Sequence, residues 1–107
     1  MERNGFNIAD ENEIKLKIVD VIRRRLGQGH FKVFLFGSRV RGGATERSDY
    51  DVGIETTKPL PLNDLLDIRS SLSDLPILQK IDLIDFGRVT DDFRQVACEA
   101  VEILYEQ

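Results

Sequence analysis

The chain has 107 residues, 41% of them hydrophobic and 32% charged, with a formal net charge of −4. That length supports one domain with a single modest core, and no apolar run approaches the ~20 residues of a membrane span. The acidic balance excludes a general nucleic-acid binder, so no direct nucleic-acid contact is expected. The single cysteine, Cys98, excludes an internal disulfide and a cysteine-built zinc site.

Residues 1–9 read as a flexible lead-in and lack the hydrophobic core of a signal peptide, which points to the cytoplasm. Asp10 with Glu13 forms a capping-box pattern that opens a helix. Ile14, Ile18, Val21, Ile22 and Leu26 then fall on one helical stripe. Arg23, Arg24 and Arg25 suit its C-terminal turn, and Gly27 and Gly29 end it. His30 is a surface residue, with no second histidine to share a metal. Lys32 to Phe36 is almost wholly apolar and reads as a buried central strand. A Gly-Ser turn and a Gly-rich connection follow, and a second strand runs from about Tyr50 to Glu55.

Residues 56–61 form a loop fixed by Pro59 and Pro61. Leu62, Leu65, Leu66, Arg69 and Leu72 mark a helix stopped before Pro76. Residues 80–86 read as a third strand that ends at Gly87. Thr90 caps a last helix, with Asp91 and Asp92 in its first turn. Phe93, Val96, Ala97, Ala100, Val101 and Leu104 give that helix its apolar face, and Cys98 lies within it as a small helical residue. The expected fold is α/β (α+β): a small mixed sheet flanked by helices, in one domain spanning residues 1–107.

The chemistry concentrates between Gly37 and Asp51. Side chains alternate along a strand, so Asp49 and Asp51 share a face. Gly37-Ser38 ends the preceding strand, so it lies beside them if the two strands run antiparallel. Asp82, early in the third strand, joins them if that strand runs parallel to the second, with the helix at residues 62–73 as crossover. Asp85 falls on the opposite face and is expected to meet solvent.

Two carboxylates ~4 Å apart repel by about 4 kcal/mol at an effective dielectric of ~20, against a total stability of ~5–15 kcal/mol. Asp49, Asp51 and Asp82 therefore call for a hard divalent cation. Mg²⁺, completed by waters and substrate phosphates, is the natural one, and two such ions can clamp a phosphoryl or nucleotidyl transfer. Gly37 allows close backbone approach to a phosphate, and Ser38 and the following amides can bind it. Arg39 and Arg41 are candidate phosphate ligands. They diverge at i and i+2, so one of them is expected to grip the nucleotide. Arg47 is a weaker candidate of the same kind.

Gly37-Ser38, residues 39–48, then Asp49-Tyr50-Asp51 is similar to the signature of the DNA polymerase β-like nucleotidyltransferase superfamily. Gly-Ser-Arg-Val-Arg-Gly with Ser-Asp-Tyr-Asp-Val-Gly-Ile resembles its minimal nucleotidyltransferase (MNT) branch, and Gly53 stands where a small residue is usual. Ile81 to Asp85, followed by Asp91-Asp92-Phe93-Arg94, resembles the tail of the same small proteins. The resemblance implies transfer of a nucleoside monophosphate, AMP above all, from a triphosphate such as ATP to an acceptor hydroxyl, with release of pyrophosphate. It implies that Asp49, Asp51 and Asp82 bind the metals, that Asp82 helps deprotonate the acceptor, and that Gly37 and Ser38 hold the triphosphate. It further implies a HEPN-domain partner, assembled with this chain and neutralised by it as in a toxin–antitoxin pair. A binding module that silences its partner by contact alone is the alternative; a plain metal- or nucleotide-sensing domain leaves the third carboxylate unexplained.

Overall fold

The computed structural model describes residues 10–27 and 29–107; the lead-in expected at residues 1–9 lies outside them. Helix α1 (Glu11–Leu26) begins as its sequence dictates: the Asp10 side chain accepts from the Glu13 amide at 2.8 Å. It ends at Gly27, whose φ of 73° carries the chain out of the helix while its amide donates to the Arg23 carbonyl. Then follow β1 (Phe31–Phe36), α2 (Ser38–Arg41), β2 (Tyr50–Thr56), α3 (Leu62–Ser73), β3 (Ile81–Asp85), α4 (Asp91–Ala97) and β4 (Glu102–Glu106). His30 is exposed, as its position predicts.

The strands form one sheet in the order β3-β2-β1-β4. β1 and β2 are antiparallel with Phe36 opposite Asp51, and β2 and β3 are parallel with Asp51 opposite Asp82. Both directions agree with the sequence expectation, and α3 supplies the crossover.

The two faces of the sheet are packed differently. Val33, Leu35, Val52, Ile54 and Leu83 point to one face, where Ile14, Ile18 and Ile22 of α1 and Leu65, Ile68 and Leu72 of α3 cover them. Arg69 of α3 also donates to the Leu83 carbonyl at 2.9 Å. The other face carries a small aromatic cluster of Phe34, Phe36 and Phe86, with Ile84, Val89 and Ala97 against it. Gly53 lies on this face opposite Phe34. A Cβ there would run into the rings of Phe34 and Phe86, so only glycine lets these aromatics close over β2.

Two expectations are corrected. The last helix stops at Ala97, with Cys98 as its C-cap, and the C-terminal segment is a fourth strand rather than more helix. Residues 93–104 fit helical spacing, but β1 would then have one edge without hydrogen-bond partners. β4 fills that edge in antiparallel register, with a bulge between Val33 and Phe34. Tyr105 stacks on Phe31 with centroids 4.9 Å apart, and Lys15 of α1 binds Glu102 at 2.8 Å.

The second correction concerns Asp85, which is only 3% exposed. It does face away from Asp82, but that face is the packed one. Its carboxylate accepts from the amides of Leu60 at 3.0 Å and Gly87 at 2.9 Å and from Arg88 Nε at 3.2 Å. It therefore ties the β2–α3 connection to the end of β3, and these three donors satisfy a buried charge that would otherwise be costly.

Candidate active site

Two adjacent strands set the centre of the site. Parallel register places Asp51 directly across from Asp82, and cross-strand partners in a sheet share a face. That face is the thinly covered one. Gly37 follows β1 with φ of 81°, a conformation that disfavours any residue with a Cβ. A Cβ at Gly37 would also overlap the Asp51 carboxylate oxygen, so the glycine admits that carboxylate against the backbone.

α2 starts at Ser38, and the Val40 and Arg41 amides return to the Gly37 carbonyl at 3.0 Å each. The amides of Ser38 and Arg39, which precede these two, have no partner within so short a helix.

Gly37, Arg41, Asp51 and Asp82 line one side of a cavity of about 330 Å³, together with Phe36 and Ile84. Phe93, Val96 and Ala97 of α4 form its other wall. Arg94 holds α4 in place by donating to the Glu55 carboxylate and to the Phe86 carbonyl. The hydrogen bond from Arg94 holds the Glu55 carboxyl below its ordinary pKa; burial opposes this and Lys32 adds to it.

The electrostatics single out Asp51. Burial raises its carboxyl above the ordinary carboxylate range, and the charges of Asp82 and then Asp49 raise it further, while Arg41 works against them. The three aspartates therefore share one negative field. Asp49 itself is exposed, precedes the first residue of β2 and is not among the cavity-lining residues. Among the described residues, no three His, Cys, Asp or Glu side chains form a ready-made metal cage. The donor set is nonetheless the hard-oxygen kind that a divalent cation prefers.

The remaining predicted residues divide. Arg41 reaches the cavity and Arg39 does not. The Arg39 guanidinium lies 3.9 Å from the centre of the Tyr50 ring and donates to the carbonyls of Thr45, Glu46 and Ser48. It thus fastens the Gly-rich connection rather than facing the acidic pair. Arg47 lines a separate cleft with Arg39 and Tyr50. Ser38 lines a separate hollow with Gly42 and Gly43 and is not among the residues lining the cavity. Sequence reasoning missed Phe93 and Val96 as site residues because they were read as the apolar face of a longer helix. The resemblance at Asp91-Asp92-Phe93-Arg94 covers Phe93 without giving it a role, and no motif marks Val96.

Comparison with known proteins gives the same centre a family. The description "Polymerase beta, Nucleotidyltransferase" fits residues 17–107. The probable protein adenylyltransferase MntA of Haemophilus influenzae is 35% identical over 105 residues, covering 96% of this chain and 90% of that protein. A crystal structure of a toxin–antitoxin with AMP-PNP superposes with a TM-score of 0.70 at 21% identity, covering 87% of this chain and 73% of the other. The Shewanella oneidensis complex of tri-AMPylated HEPN toxin with MNT antitoxin gives 0.69 at 18% identity, over 92% and 74% of the two chains. Among the described residues no helix is long and apolar enough to cross a membrane. The fold, the register of Asp51 on Asp82 and the match over residues 17–107 agree: the chain belongs to the polymerase β nucleotidyltransferase family, as a relative of MntA.

Proposed function

We propose that this protein is a Mg²⁺-dependent protein adenylyltransferase that moves AMP from ATP to a hydroxyl of a HEPN-type partner and so acts as that partner's antitoxin. The observation that carries the reading is Asp51 aligned on Asp82 with Gly37 closed against the Asp51 carboxylate. The relatives support the acceptor: one is named for protein adenylylation, and another is bound to an AMPylated HEPN toxin. The reaction belongs in the cytoplasm, where ATP is supplied, and residues 1–107 act in it as one minimal nucleotidyltransferase domain.

Asp49, Asp51 and Asp82 would hold one or two Mg²⁺ ions, whose charge would offset that of the triphosphate and the leaving pyrophosphate. The observation that fits a cation there is geometric: Asp51 and Asp82, two hard-oxygen donors, stand opposite one another on one face of the sheet. Gly37 and the first amides of α2 receive phosphate oxygens, and Arg41 adds a fixed positive charge from the cavity rim. Ser38 donates its hydroxyl from the start of α2. Asp82 accepts the proton of the acceptor hydroxyl as its oxygen attacks the α-phosphorus. The new P–O bond forms to the acceptor, the bond to the bridging oxygen of the β-phosphate breaks, and pyrophosphate leaves with that electron pair.

The test is incubation of the chain with its partner, α-labelled ATP and Mg²⁺. Label should appear on the partner and vanish in the Asp49→Asn/Asp51→Asn variant, whose melting temperature is not lowered. Equal labelling by the variant overturns the site. A partner neutralised without label overturns the chemistry in favour of contact alone.

A further inference from the structure

The cavity has two chemically distinct halves. On the sheet side Arg41, Asp51 and Asp82 bring charge beside Gly37, Phe36 and Ile84; on the α4 side the described lining residues, Phe93, Val96 and Ala97, are all apolar. Phe93 is the exception in a protein whose aromatic cluster is otherwise buried. It is 41% exposed, yet two neighbours fix its orientation: Phe36 at 6.2 Å and 87°, and Phe86 at 5.8 Å and 47°. Val96 beside it is 57% exposed. An exposed aromatic of set orientation, on a helix anchored by Arg94, is a preorganised surface rather than a loose side chain.

A nucleoside triphosphate has the same division, a polyanion at one end and a flat ring at the other. We propose that the apolar half of this cavity is the nucleobase subsite, with the Phe93 ring as its stacking platform and Val96 and Ile84 flanking it. This rests on the nucleotidyltransferase reading and goes beyond it by naming what sets base preference. One cavity spans both the acidic pair and Phe93, so phosphates at Gly37 and Arg41 leave the base within the same enclosure. Stacking reads a base by its face, which every base offers, and among the described residues no polar side chain in that half reads its edge. The site therefore discriminates weakly between adenine and guanine.

Isothermal titration of the full chain with AMP-PNP and, separately, with inorganic tripolyphosphate, both in Mg²⁺, tests this. Phe93→Ala should weaken AMP-PNP roughly 5- to 150-fold and leave tripolyphosphate unchanged. Phe93→Tyr should retain affinity, while Phe93→Leu, similar in apolarity but without a π face, should lose it. In the wild type, GTP and ATP should differ by less than tenfold in KM. Unchanged AMP-PNP binding in Phe93→Ala overturns the subsite. So does an equal loss for tripolyphosphate, or a rise in KM for the acceptor alone, which would make the wall an acceptor contact. A hundredfold preference for ATP over GTP overturns readout by the face. Normal labelling of the partner together with any of these results leaves the transferase reading standing; loss of labelling in the wild type removes both.

Discussion

The two faces of the sheet have opposite economies of burial. On one, two helices bury Ile14, Ile18, Ile22, Val33, Leu35, Val52 and Ile54 to 1% exposure or less. On the other, the seven residues of α4 include none that is buried, and the carboxylates of Asp51 and Asp82 share the surface with a half-open aromatic. The first face supplies the apolar burial that dominates folding free energy. The second tolerates converging like charges because little of the core depends on it. The comparison teaches that a domain of this size separates its stability from its chemistry across the thickness of one sheet.

Variants on the two faces should therefore fail in different ways. The largest effect is on the thin face: Asp49→Asn/Asp51→Asn should abolish labelling of the partner without lowering the melting temperature, since burial and then the neighbouring Asp82 and Asp49 already disfavour the Asp51 charge. Gly37→Ala comes next. Its Cβ displaces the Asp51 carboxylate, and such misplacement costs roughly 10²-fold in single-turnover transfer. Circular dichroism should show the sheet intact. An unchanged transfer rate would break the link between that bend and the acidic pair.

On the packed face the expected loss is of stability. Ile18→Ala should cost about 2–5 kcal/mol in urea unfolding, with AMP-PNP affinity unchanged at temperatures where the variant stays folded. A parallel loss of affinity would show that the faces are not separable.

The smallest effect tests how α4 is held. Because the Glu55 carboxyl is held below its ordinary pKa in the folded state, the folded chain binds fewer protons there than the unfolded chain does. The stabilisation is complete above the ordinary value of 4.5 and disappears as pH falls through the lower folded value. Glu55→Gln should thus lower stability by about 0.2–1 kcal/mol at pH 7, and the difference from wild type should close in strong acid. A gap that persists there would assign the effect to packing.

Much of this architecture was legible in local patterns. Asp10 with Glu13, the stripe from Ile14 to Leu26 and the apolar run into Gly37 each follow from short-range rules, and the i, i+2 aspartates with Asp82 led to the correct strand directions. What was not legible depended on distant partners. Residues 102–106 are a short apolar run, Ile103 to Tyr105, between two glutamates, which periodicity alone assigns to neither helix nor strand; the open edge of β1, far away in sequence, decides it. Whether Asp85 meets water depends on where the Leu60 segment lies. Whether Arg39 or Arg41 reaches the cavity depends on the turn of a four-residue helix, and spacing alone shows only that they diverge.

The late position of β4 bears on how the chain is made. β1 emerges from synthesis well ahead of the segment that completes its second edge, and at ~5–20 residues per second the interval is several seconds. Throughout it, one side of Phe31–Phe36 offers unpaired amides and carbonyls to any neighbouring nascent chain. Ribosomes crowded on one message would thus face a window for wrong pairings that closes when residues 102–106 arrive.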